Sequence, residues 1–131
     1  MTQYKKHFTL TEARATLPKL RRKLLRILDL IADVRNFQEK EGLGQTVVLR
    51  GNGKGPLLTG VAPKKEEAQR LIEEIAADGI QIKDLEKGLV DFPHFLEGDT
   101  EHEVFLCWHL GEDTIEFWHE IEEGFSGRVK I

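Results

Sequence analysis

The sequence predicts an α+β fold in which a long helical hairpin packs with a small antiparallel β-sheet in the C-terminal half. Three observations carry that expectation. Apolar residues recur at helical spacing between Leu17 and Val34 and again after Pro63. Beyond Gly79 the apolar period shortens to two, the period of a half-buried strand. The order helix, helix, strands separates the two kinds of element along the chain, as α+β domains do. At 131 residues the chain has the length of one domain, with residues 1–79 mainly a helical hairpin and residues 80–131 the β-rich part.

Thr9 and Glu12 form a capping box, in which each side chain satisfies the other's backbone N–H, so a helix is expected to start there. Pro18 lies too deep to belong to the first turn, and is expected either to kink that helix or to begin a second one. Leu17, Leu20, Leu24, Ile27, Ile31 and Val34 then make a seam alternating between steps of three and four, widened by Leu25 and Leu28. Its partner helix is predicted over Lys64–Asp78, opened by Pro63, striped by Ala68, Leu71, Ile72, Ile75 and Ala76, and ended by Gly79. Between the two, Thr46–Arg50 and Leu57–Val61 are short β-prone runs in a glycine-rich segment that suits a hairpin or a loop equally. Strands are predicted over Ile80–Lys83, Gly88–Pro93, Glu103–Leu110 and Thr114–His119, the last two joined by the turn Gly111–Asp113. Gly124 and Gly127 mark a tight loop before the tail.

Charge is divided unevenly. Residues 1–40 carry ten Lys or Arg against four acids, whereas residues 84–123 carry thirteen acids against the single Lys87, within a net charge of −4. A basic helical end facing an acidic sheet end is expected, within one chain or between two copies. No apolar run is long enough for a membrane span, and no apolar stretch follows the basic N-terminus as a secretory signal requires. One cysteine makes no internal disulfide, so a cytoplasmic protein is expected. Lys19, Arg21, Arg22, Lys23 and Arg26 form a basic face with no interleaved aromatic residue, so nucleic acid is not the expected partner; a homodimer is, built on the long seam. Gly51–Pro56 fails as a phosphate loop, because Gly55 stands where Ser or Thr should follow the lysine.

Three motifs gather the distinctive residues: Gly88-Leu-Val-Asp-Phe-Pro93, Leu106-Cys-Trp-His-Leu-Gly-Glu112 and Phe117-Trp-His-Glu-Ile-Glu-Glu-Gly-Phe-Ser-Gly-Arg128. With the opening Phe8-Thr-Leu-Thr-Glu-Ala-Arg-Ala-Thr-Leu-Pro18, they resemble the bacterial family catalogued as domain of unknown function 2203, over nearly the whole chain except residues 42–62. The resemblance implies no established activity. It implies that Asp91, Trp108, Glu112, Trp118, His119 and Arg128 belong to a shared pattern.

The chemistry expected is divalent-metal binding, with zinc, iron or manganese held by His119, Glu123 and Asp91. If the chain turns helical after the last strand, His119 and Glu123 lie one turn apart on one face, and Asp91 supplies a third ligand. The run His119-Glu-Ile-Glu-Glu123 lacks the second histidine of a zinc-protease helix. Strand register offers another set. A three-residue turn pairs Leu110 with Thr114 and puts Cys107, His109 and His119 on one face, while a two-residue turn separates His119 from Cys107. Cys107 otherwise reads as a small buried apolar residue, Trp108 and Trp118 as core aromatics, and Arg128 as the ion-pair partner of a nearby carboxylate. The alternative function is a structural or interaction module using the long helix, with no metal.

Overall fold

The capping box forms as spelled. The Thr9 hydroxyl accepts the Glu12 N–H at 3.0 Å and the Glu12 carboxylate accepts the Thr9 N–H at 2.9 Å, opening helix α1 (Leu10–Lys40). The computed structural model of the chain describes residues 2–40, 56–96 and 101–131; Thr46–Arg50 and Gly51–Gly55 lie outside them. α1 continues through Pro18, so no second helix begins there. Pro18 is exposed, and the helix buries Ala13, Leu17 and Leu20 around it. That burial is worth more than the single backbone hydrogen bond the ring removes.

Contacts group the chain into two compact units, Met1–Arg22 with Glu74–Ile131, and Lys23–Glu73. In the second unit α1 and helix α2 (Pro56–Ala77) run antiparallel. Arg26 clamps the Glu67 carboxylate at 2.7 and 3.0 Å, and Lys64 reaches Asp33 at 3.1 Å. Such exposed pairs set register more than they add stability. Leu24, Ile27 and Leu30 are buried, but Leu25, expected to widen the seam, is 50% exposed, because the stripe turns towards Leu30 instead. α2 begins at Pro56 rather than after Pro63, so Leu57–Val61 is helical and not β. Pro63 lies inside α2, past the first turn, where its ring removes one backbone hydrogen bond without ending the helix, as Pro18 does in α1.

α2 ends as Gly79 predicts. With φ +91°, Gly79 donates to the Ala76 carbonyl at 3.0 Å while Ile80 donates to the Ile75 carbonyl at 3.3 Å, the two bonds of a Schellman cap. Ile75 and Ile80 are both buried at this joint.

Five antiparallel strands follow in meander order: β1 (Gln81–Asp84), β2 (Leu89–Phe95), β3 (Glu103–Trp108), β4 (Phe117–Glu120) and β5 (Val129–Lys130). β4 starts three residues later than predicted, with Thr114–Glu116 irregular. Residues paired across neighbouring strands share a face, so even-numbered positions of β2 and β3 form one side. Val90, Phe92, Val104, Leu106 and Trp108 are buried there. The first half of α1 covers it, with Arg21 over the Trp108 ring at 5.4 Å and Arg14 donating to the Ile115 carbonyl at 2.8 Å.

The N-terminal segment is strapped to the sheet. β1 stops opposite Asp91, leaving the edge of β2 open at Pro93, whose carbonyl accepts the Phe8 N–H at 2.8 Å. Glu103 holds the rest: its carboxylate accepts from Gln3 N–H at 2.7 Å, Tyr4 N–H at 3.1 Å and His7 Nε2 at 2.6 Å. Burial pushes this carboxyl up, but those hydrogen bonds and the His7 ring outweigh it and hold it below its ordinary value. A depressed carboxyl stabilises the folded chain above its unfolded value of 4.5, and that contribution is lost as pH falls through the lower folded value. Glu103→Gln is therefore expected to lose about 1–2 kcal/mol in urea unfolding at neutral pH. The gap between variant and wild type should narrow as pH falls below 4.5 and close once it has passed the lower folded value; a gap that persists in acid would assign the loss to packing instead.

Candidate metal centre

The opposite, odd-numbered face carries the polar residues. Asp91 pairs with Cys107 and Cys107 with Phe117; one row away, Pro93 pairs with Phe105 and Phe105 with His119. Of the two hairpin registers open to the sequence, this is the one that keeps Cys107 and His119 on the same face. It is reached through the long connection 109–116 between β3 and β4, rather than through a three-residue turn.

Asp91, Cys107 and His119 converge there. A carboxylate oxygen, the Cys107 Sγ and a His119 ring nitrogen all lie within 4.8 Å of one another. Asp91 is 3% exposed and His119 2%, so both polar groups are removed from water. His119 Nδ1 donates to the Glu120 carbonyl at 2.7 Å, which fixes the ring and turns Nε2 towards Asp91, 3.1 Å from each carboxylate oxygen. A proton must be shared between Nε2 and the carboxylate, because both ring nitrogens face acceptors. Burial pushes the Asp91 carboxyl above its ordinary range; His119, a hydrogen bond from the Cys107 thiol and the Lys83 charge offset that only in part. Burial first and the Asp91 charge second push the Cys107 thiol up to about 12. Such a thiol is protonated at neutral pH and is no nucleophile.

Phe105 forms the floor. Its ring meets His119 edge-on with centroids 5.5 Å apart, Tyr4 of the N-terminal strap lies 5.3 Å away, and the Lys83 ammonium sits 4.6 Å above it. The three polar groups open into a recess of about 130 Å³ walled by Ile121 and Glu123.

Of the predicted ligands, the structure brings Asp91 and His119 together, and places Glu123 on the wall of the same recess outside the cluster. The helix expected to align Glu123 with His119 does not form: His119 ends in strand β4, and the chain turns at Ile121–Glu122. The exposed Glu123 side chain lies against Gly127, where an added Cβ would meet Oε1 at 2.9 Å. His109, which the matching register placed with Cys107 and His119, stays outside. Its Nδ1 donates to the Leu110 carbonyl at 2.6 Å and its ring leans on Phe125, because β3 ends at Trp108 and the alternation lapses. Cys107 is the member that sequence reasoning put aside in favour of a purely structural role. The signal for it was the register of the hairpin that puts Cys107 on the His119 face; the carboxylate opposite it on β2 is known from the structure alone.

Arg128 pairs with a carboxylate as expected, meeting Glu112 Oε2 at 2.6 Å between the rings of Phe117 and Phe125. The Glu112 carbonyl accepts Trp108 Nε1–H at 3.0 Å. A family model described as "Uncharacterized conserved protein (DUF2203)" matches residues 6–131. The chain belongs to the DUF2203 family. No curated protein and no solved structure matches it. In this DUF2203 chain, five of the six residues marked by the resemblance bond to one another in two sets, Asp91 with His119 and Trp108 with Glu112 and Arg128. Trp118 lies on the other face.

Asparagine at position 91 can donate to His119 Nε2 without carrying a buried charge, whereas alanine leaves that nitrogen without a partner. Metal-free Asp91→Asn is therefore expected to match or exceed the wild type in thermal stability, and Asp91→Ala to lose about 1–3 kcal/mol. Melting both variants in the presence of a chelator checks the order.

Proposed function

We propose that this is a cytoplasmic divalent-metal-binding protein, with Asp91, Cys107 and His119 as the ligands and zinc as the best-suited ion. The observation that carries it is the aim of His119: a carbonyl takes the Nδ1 proton, as it does in metal-ligating histidines, and Nε2 faces a buried carboxylate and thiol. A buried aspartate, cysteine and histidine are costly to hold together without an ion, and a bound cation would turn each cost into a bond. Of the three ions expected from the sequence, a thiolate donor moves the preference from manganese towards zinc, and leaves iron as the second choice. Three protein ligands leave a fourth position towards the recess, where Glu123 or a water could complete a tetrahedron.

Elemental analysis after chelator-free purification should return about one metal per chain. Zinc in hundredfold excess over Kd should stabilise the protein by about 2.7 kcal/mol. Cys107→Ser and His119→Ala should each weaken zinc by about a hundredfold or more. A wild type that carries no metal and does not respond to zinc overturns the assignment.

A second reading has its own observation. Leu25 stands half exposed on α1, and Ile31, Val34, Ala68 and Ile72 line a groove between the two helices. Docking of a second copy of the chain along these helices would cover them. Sedimentation should then show a concentration-dependent dimer that Leu25→Glu returns to monomer, while a wild type that stays monomeric removes this reading.

A further inference from the structure

The recess holding Asp91, Cys107 and His119 adjoins a larger cleft. Leu89 and Phe125 line both. The cleft has a volume of about 350 Å³, and its other lining residues are Lys87, His109 and Leu110. That is within the range of small-molecule sites, which combine a mainly apolar lining with a few placed polar groups. Leu89, Leu110 and Phe125 supply the apolar walls.

Its charge is unusual for this half of the chain. Lys87 is the single cation among the thirteen acids of residues 84–123, and it stands in this cleft. Behind the wall, the Glu112 carboxylate is neutralised by Arg128 at 2.6 Å and accepts the His109 N–H at 3.0 Å, while the Asp84 carboxylate accepts the backbone N–H of Lys87 at 3.2 Å. A second ammonium, Lys83, hangs over Phe105 beside the recess. Lys87 is therefore the ammonium of the apolar slot, while Lys83 stands at the adjoining recess, where its charge acts on Asp91.

The construction of the slot is rigid on one side and adjustable on the other. Gly88 adopts φ +63°, and an added Cβ there would meet Leu110 at 2.5 Å, so the β1–β2 turn packs against the Leu110 wall with no room to spare. The Leu110 N–H donates to the Gly88 carbonyl at 3.2 Å, which ties the two walls together. Phe125 opposes them from the short 3₁₀ turn Phe125–Gly127, and its ring is 49% exposed. An aromatic ring that is half exposed between two recesses is available to cover a guest.

We infer that the cleft binds a small organic anion with an apolar body. Its anionic head faces Lys87, its body lies between Leu89, Leu110 and Phe125, and its far end reaches the recess of Asp91, Cys107 and His119. This inference rests on the metal centre proposed above for what happens at the far end, but the contacts with Lys87 and Phe125 do not depend on it.

The test is an amide-resonance titration of the isotope-labelled full chain, with and without zinc. The probes are phenylbutyrate, phenyl phosphate and the neutral phenylbutanamide. At least one anion should bind about fivefold more tightly than the amide, the scale of one partly exposed charge contact. Shifts should centre on Leu89, Leu110 and Phe125. The preferred anion identifies the head group as carboxylate or phosphate. Lys87→Gln should erase the difference between anion and amide, and Phe125→Ala should weaken every probe. Equal binding of anion and amide, shifts centred elsewhere or the absence of binding overturns the inference. The two proposals fail separately: anion selectivity in a chain that takes no zinc removes the metal centre alone, and zinc binding without anion selectivity removes the cleft alone.

Discussion

A carboxylate buried inside a sheet face must find donors within that face, and Asp91 sets this requirement for everything around it. Water is excluded, so its charge is met by a histidine from β4, a thiol from β3 and an ammonium from the bulged edge of β1. The other face must be sealed independently, and the first half of α1 does so with Ala13, Leu17 and Leu20. The strap of residues 2–9 closes the remaining side by laying Tyr4 on the Phe105 floor. The strap and sheet thus enclose the three polar groups on one side, and the recess walled by Ile121 and Glu123 opens from them on the other.

The charge division along the chain finds its use in backbone rather than in side-chain pairing. Arg14 and Arg21, from the basic part of α1, donate to the carbonyls of Ile115, Glu112 and Asp113 in the acidic connection between β3 and β4. That connection is irregular, and its carbonyls lack strand partners, so guanidinium groups with their forked donors satisfy them. Arg128 then takes the Glu112 carboxylate itself. Two arginines of the basic helical end thus reach the acidic connection through its backbone carbonyls.

How much of this was legible before the structure follows from the range of the forces involved. The Thr9–Glu12 cap and the Gly79 terminator are local, each decided by a few neighbouring residues, and both read correctly. The register of β3 on β4 could be narrowed to two choices, because a pleated strand repeats every two residues. The choice between them was made by the packing of the 109–116 connection, which includes Trp108 Nε1 on the Glu112 carbonyl. The pairing of Asp91 with Cys107 lay out of reach, since nothing in either segment states which residue of β2 will stand opposite β3. The helix expected after His119 had a local argument, the spacing of two ligands. It lost to the non-local pairing of β4 with β3 and β5. Leu57–Val61 went the same way in the opposite direction: β-prone residues were absorbed into α2 by the helix that follows them.

Asp91, Cys107 and His119 come from three adjacent strands, and this arrangement has a consequence for tolerance to change. Their mutual spacing is set by the hydrogen-bond ladder, whose inter-strand separation is nearly invariant, and owes nothing to the length of the β2–β3 link. Insertions in that link would lengthen the excursion while leaving the three side chains in place. Loss of one residue inside β3, by contrast, would rotate Cys107 to the helix side and dismantle the trio at a stroke.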